Sequence, residues 1–181
     1  MNDRLILSVS GAIALIVPGL GEAATRRPTT PAEPIATATL LTASGAGAGS
    51  ATIVEDGSSL RLRVSARGLP PGPHGIHLHA VGKCEAPGFT SAGGHLNPQG
   101  HQHGLENPAG AHLGDLPNLD VAADGTAVLS ISLAGTRPAL TEALFDTDGT
   151  ALVVHAAADD NRTDPSGNSG ARIACGVMRR R

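Results

Sequence analysis

The sequence predicts an all-β domain, an antiparallel barrel or sandwich, and three observations carry that expectation. Short segments alternate apolar and polar residues with a period of two. Gly-, Pro- and Asp-rich breaks separate them, among them "EDGSS", "GLPPGP" and "AADGT". No long amphipathic helical pattern occurs. In "SLRLRVSA", Leu60, Leu62 and Val64 share one face and Arg61 and Arg63 the other. In "TAVLSISLAG", Ala127, Leu129, Ile131 and Leu133 stand opposite Val128, Ser130 and Ser132. Such alternation marks strands with one buried face.

Taken in chain order, the first element is "MNDRLILSVSGAIALIVPGLGEAAT". Arg4, an apolar run over residues 5–17 and small residues at 21–24 have the layout of a secretory signal peptide, expected over residues 1–23. The run is too short for a comfortable membrane span. The mature chain is therefore expected to be exported, to the periplasm or the extracellular space, with no membrane span. Residues 24–34, Pro/Thr-rich, read as a flexible leader. The domain proper is expected over 35–178, with Arg179, Arg180 and Arg181 as a solvated basic tail. "ATATLLTAS" (36–44), "SATIVED" (50–56) and "ARIACGV" (171–177) are compatible with further strands, giving about eight: four before residue 82 and four after 117. Between these groups lies a Gly-, Pro- and His-rich stretch, 82–117, and a second long loop, 157–170, precedes the last strand. Loops of that length in a small domain are commonly functional.

Charge excludes one class of partner. Of 13 basic and 16 acidic residues, Arg4, Asp3 and Glu22 precede the expected cleavage point, leaving 12 against 14. That balance does not suit a nucleic-acid partner. The two cysteines, Cys84 and Cys175, form an even count in an exported chain and are expected to pair. In the chain-entropy model a loop this long is worth roughly 4–5 kcal/mol. With two Phe and no Trp or Tyr, the core must come from Leu, Val, Ile and Ala.

Chemistry concentrates in eight histidines. In "GIHLHAV" the alternation sends Ile76, Leu78 and Ala80 to one face and His77 and His79 to the other, where two imidazoles at i, i+2 can chelate one cation. "ALVVHAAADD" likewise sets His155 beside Val153, opposite Leu152 and Val154. The intervening loop carries His95, His101, His103, His112 and Asp115 within 21 residues, and a metal would give it a reason to be ordered. Histidine with a carboxylate suits zinc, and an all-imidazole set accommodates copper.

Five motifs, "GPHGIHLH", "GGHLNP", "HLGDLPNL", "LVVHA" and "GNSGARIACGV", occur in an order and spacing that resembles the secreted bacterial copper–zinc superoxide dismutases over about residues 35–178. The resemblance implies an eight-stranded antiparallel Greek-key β-barrel with two long loops, a metal-binding loop and an electrostatic loop. It implies an enzyme converting two superoxide anions to dioxygen and hydrogen peroxide, with copper alternately reduced and oxidised and zinc structural. By the same resemblance His77, His79, His95 and His155 are the copper ligands, and His95, His103, His112 and Asp115 the zinc ligands, His95 bridging. Asp159 matches the aspartate that hydrogen-bonds one imidazole of each set. Arg172 matches the arginine beside the open copper position; a surface ion pair with a loop aspartate is its other reading. Cys84 and Cys175 match the family's disulfide. His74 corresponds to a structural position and His101 to a solvated loop residue. The bacterial branch often carries aromatic residues at its dimer contact, and this chain lacks Trp and Tyr, so monomer and homodimer both stay open. The alternative function is an exported copper- and zinc-binding or buffering protein without turnover, which would need no Arg172.

Overall fold

The alternation in the first third of the chain becomes a meander. In the computed structural model, which describes residues 32–181, β1 (Pro34–Thr42), β2 (Gly47–Asp56) and β3 (Ser59–Ala66) pair antiparallel in sequence order. The expected signal peptide and most of the expected leader lie outside the described residues. No helix among the described residues is long and apolar enough to cross a membrane.

After β3 come β4 (Gly72–His74), β5 (Ile76–His79), β6 (Leu119–Val121), β7 (Ala127–Ser132), α1 (Arg137–Leu144), β8 (Thr150–His155) and β9 (Arg172–Arg180). Seven strands form one antiparallel sheet in the order β5-β8-β9-β1-β2-β3-β7, and β4 pairs with β6. Only Gly75 separates β4 from β5, so 72–79 is one bent strand that leaves β6 for β8, and the expected eight strands are recovered. The bend needs glycine: a Cβ at residue 75 would stand 2.8 Å from Ser169 Cβ. A tight turn joins β6 to β7, with Ala122 N–H donating to Thr126 O at 2.8 Å. The β4–β6 pairing and this turn link the sheet's two edge strands, β5 and β7, around one core.

That core is aliphatic, as composition required. Leu60, Leu62 and Val64 of β3 are buried in it with Ile76, Leu78, Leu152 and Val154, while Val128 of β7, on the opposite face, is 82% exposed. Burying each Leu, Ile or Val side chain is worth about 1.5–3 kcal/mol. A second cluster lies on the other side of the sheet, where Phe89, Ala92, Ala151, Val153 and Cys175 pack beside Cys84. There Cys84 and Cys175 form the expected disulfide, with a Cα–Cα distance of 5.7 Å.

Two features depart from expectation. The helix α1 arises from "RPALTEAL": Pro138 sits near its start, and Leu140 and Leu144, four residues apart, bury one side against the barrel. Eight residues are too few for a helical period to stand out in the sequence. The basic tail is also corrected. Arg179 and Arg180 belong to β9, pairing with Thr37 and Ala36, and Arg181 N–H donates to Ile35 O at 2.9 Å. Their side chains stay solvated, but backbone pairing with β1 holds the chain in the sheet. At the other end, Pro34 lies within β1 and not in a leader.

Candidate metal centre

Strand alternation places the first histidines. Ile76 and Leu78 enter the core, which turns His77 and His79 to the outer face of β5. That face is nonetheless sealed, with His77 and His79 both buried, because the loop after β5 returns along its free edge. Leu96 N–H donates to Leu78 O and Leu78 N–H to Gly114 O, at 2.8 and 2.9 Å. Isolated bridges His77–Asp115 and His79–His95 continue the contact. On β8, Leu152 and Val154 face the core, so His155 stands outward like Val153, its N–H donating to Gly75 O at 2.8 Å.

Eight ligand-type side chains converge here. The donor atoms of His77, His79, His95 and His155 all lie within 4.8 Å of one another, and so do those of His95, His103, His112 and Asp115. His95 belongs to both sets. His77, His103 and Asp159 form a third such group. His101 belongs to none of them; it is exposed, with Nδ1 donating to Ala111 O at 3.0 Å. His74 is buried at the barrel end, its two ring nitrogens 2.7 and 2.8 Å from the carbonyl oxygens of His155 and Pro70.

Hydrogen bonds decide which nitrogen of each ring is bare. A carboxylate or carbonyl only accepts, so His77 Nε2–H donates to Asp159 Oδ2 at 2.6 Å and His103 Nε2–H to Asp159 Oδ1 at 3.0 Å. His79 Nδ1–H donates to Gly93 O at 2.9 Å, and His155 Nδ1–H to Gly170 O at 3.1 Å. What remains is a ring of lone pairs. Among the described residues His77 Nδ1 and His95 Nε2 are buried without a partner, and His79 Nε2 and His155 Nε2 face each other at 3.4 Å. In the second set, Asp115 Oδ1 lies 2.9 Å from His95 Nδ1, 3.0 Å from His103 Nδ1 and 3.3 Å from His112 Nδ1. His95 Nδ1–H can donate to Asp115 Oδ1, but His103 Nδ1, bare because Nε2–H is given to Asp159, faces the same carboxylate oxygen. Buried acceptors gathered in this way are costly unless a cation sits among them. An all-imidazole set suits copper and a His/Asp set suits zinc, so these residues fit both metals.

Electrostatics keeps the groups in their ligand forms. Burial lowers the pKa of His77 to about 4, against the pull of its bond to Asp159. Burial likewise lowers His79 to about 2 and His155 to about 3. For Asp159, burial alone would raise the pKa, but hydrogen bonds from His77, His103 and Asn161 outweigh it and hold it at about 2. Asp115 is held well below the usual carboxylate range, its burial opposed by bonds from His95 and Gly104 N–H. Neutral imidazoles and ionised carboxylates are the forms that bind metal.

A cleft of about 490 Å³ opens onto His79, His95, His155 and Arg172. Arg172 makes no ion pair among the described residues. Instead Nη1 donates to Phe89 O at 2.7 Å and Nη2 to Gly93 O at 2.6 Å. Gly93 O therefore serves both Arg172 and His79.

Two supporting residues escaped the sequence reading. Asn118 clamps the backbone of Asp159: its Nδ2 donates to Asp159 O at 2.9 Å and its Oδ1 accepts from Asp159 N–H at 2.8 Å. Gly167, at φ 61°, packs so closely on the Asp159 carboxylate that an added Cβ would overlap Oδ1. Asn118 lies inside "HLGDLPNL" and Gly167 opens "GNSGARIACGV", but nothing in their spacing reveals that both meet Asp159.

The family model described as copper/zinc superoxide dismutase matches residues 47–178. Among curated relatives, a Cu-Zn superoxide dismutase of Caulobacter vibrioides is 43% identical over 152 residues, 80% of this chain and 85% of that one. One from Aquifex aeolicus is 41% identical over 145 residues, 78% and 85% of the two chains. Among solved structures, a SOD-like protein from Bacillus subtilis superposes with TM-score 0.73 at 41% identity, covering 78% of this chain and 96% of that one. The Cu/Zn superoxide dismutase from Brucella abortus gives 0.63 at 31% identity, covering 79% and 98%. Similarity that spans the barrel and both long loops, in sequence and in backbone alike, makes this chain a member of the copper/zinc superoxide dismutase family.

Proposed function

We propose that this chain catalyses the conversion of two superoxide anions and two protons to dioxygen and hydrogen peroxide. The observation that carries the reading is His95, which belongs to two four-residue sets, one all-imidazole and one with a carboxylate, with Nδ1 2.9 Å from Asp115 Oδ1 and Nε2 buried with no partner among the described residues. We assign His77, His79, His95 and His155 to copper, and His95, His103, His112 and Asp115 to zinc. When bound, copper supplies a one-electron centre that zinc, with its filled d shell, cannot, so zinc is structural.

The chain's own residues do the rest. Asp159 accepts from one ring of each set and so fixes two tautomers with a single carboxylate. Arg172 offers its charge to the cleft without a carboxylate partner among the described residues, and local positive potential can steer a small anion despite a negative net charge. Association would rise about 10-fold or more at low salt. His95 Nε2, buried at the cleft, is the atom we assign to carry a proton to the product. Export to the periplasm or the extracellular space is part of the proposal, supported by the leader-like residues 1–23 and the Cys84–Cys175 disulfide.

The test is superoxide consumption by the chain from Ala24 onward, loaded with one copper and one zinc, against a zinc-only control. Fast loss with the copper form alone is expected. Stoichiometric metal without copper-dependent turnover would make this a metal-binding protein on the same scaffold. Sedimentation of the loaded chain distinguishes monomer from homodimer.

A further inference from the structure

Arg172 is the one Lys or Arg among the described residues that line the cleft, and its position rests on two backbone carbonyls, those of Phe89 and Gly93. The first is held in an unusual way. Phe89 has φ 52° and ψ 23°, the left-handed region that residues with a Cβ seldom occupy. Such a conformation persists only where the surroundings enforce it. Here the enforcement is visible. Phe89 is 2% exposed, packed with Ala92, Ala151, Val153 and Cys175 beside Cys84. The Phe89 N–H donates to Glu85 O at 2.9 Å, and its carbonyl accepts from Ala92 N–H at 3.1 Å as well as from Arg172.

We infer that Phe89 is a positioning residue for Arg172: its buried ring locks the left-handed turn that aims the Phe89 carbonyl at the guanidinium. Phe89 belongs to neither ligand set, so it acts on the anion's approach and not on metal retention. Without the ring, residue 89 loses what holds it out of the ordinary backbone regions. The carbonyl then turns away, and Arg172 keeps one acceptor of two. The chain is nearly free of aromatic residues, with two Phe and no Trp or Tyr, and it places one of the two here. The inference rests on the role proposed for Arg172 in guiding superoxide.

Phenylglyoxal, which reacts with accessible guanidinium groups, tests the placement in the full metal-free chain with its disulfide intact. Peptide mass spectrometry would follow Arg172, with exposed Arg63 as internal standard. Phe89→Ala is expected to raise the Arg172 rate several-fold while Arg63 is unchanged, and Phe89→Leu, which refills the cluster, to restore the parent rate. An unchanged Arg172 rate in a folded Phe89→Ala chain overturns the inference, as does an equal rise at Arg63. Should Phe89→Ala not fold, nitrogen NMR of the parent decides. Separate, slowly exchanging Arg172 Nη signals are expected, and one averaged signal overturns the inference. In the loaded chain, Phe89→Ala should flatten the dependence of turnover on ionic strength with copper and zinc content unchanged. The reagent assay needs neither metal nor turnover. An inactive parent would thus sink the dismutase reading alone, and an unmoved Arg172 rate would sink this one alone.

Discussion

The two four-residue sets meet at His95 but are built differently. His77, His79 and His155 stand on β5 and β8, whose ladder pairs Ile76 with Val154 and His79 with Ala151. Their backbone is fixed by the same hydrogen bonds that form the barrel. His103, His112 and Asp115 stand on a loop without regular strands, held by Asp115 and by the edge of β5. Asp115 Oδ2 accepts from the backbone N–H groups of Gly104 and His112. Strand-borne ligands are preorganised by folding, whereas loop-borne ligands depend on each other and on the ion they enclose. On the proposed assignment, copper would rest on a rigid wall and zinc would order the loop that carries His95.

The largest expected break in that contrast is His95→Ala, which removes the shared member. Copper and zinc content should fall together and the melting temperature should drop, read by elemental analysis and calorimetry. Full retention of one metal would count against a bridging His95.

Next is Gly167→Ala, which drives a methyl group into the Asp159 carboxylate and touches both sets at once. Loss of such an outer partner typically costs about 10–100-fold in metal affinity. Zinc should suffer more than copper, because the strand-borne rings keep their backbone support. Equal losses in competition titrations would erase the distinction between wall and loop.

Acid should weaken the metal-free chain more gently. Burial holds His77 and His155 at about 4 and 3, below the ordinary 6.5, so as pH falls the unfolded chain takes up these protons first. Stability is intact above about pH 6.5 and is lost progressively as pH drops toward the folded values. Melting temperatures measured from pH 7.5 to 4.5 should therefore decline, and a flat profile would contradict the burial of the strand-borne rings.

The smallest effect is expected at Arg162, which bonds Glu106 at 2.6 Å across the two long loops, both side chains being more than half exposed. Exposed pairs contribute about 0.2–1 kcal/mol. A larger loss in Arg162→Ala would mean that the loops are latched at their surface and not at Asp159.

Much of this arrangement was legible in the sequence. Leu60, Leu62 and Val64 alternate with arginines, and a period of two has one physical meaning in a strand, so β3 and its buried face could be read directly. The same rule separated His77 and His79 from Ile76 and Leu78. The helix α1 was not legible, because eight residues hold barely two turns. Nor was the backbone pairing of Arg179 and Arg180, since three charges at a chain end look like a free tail until β1 is known to run beside them.

By itself the sequence determined the strand faces, the aliphatic core, the pairing of its two cysteines and the types of ligand available, because each depends on residue type or on a spacing of one or two residues. Only the tertiary structure decided which nitrogen of each histidine is bare, that Asn118 and Gly167 hold Asp159, and that Phe89 aims a carbonyl at Arg172. The Asn118–Asp159 and Phe89–Arg172 contacts join residues 41 and 83 positions apart. At such separations no local period survives, and the contact exists only once the barrel has brought two loops to one face.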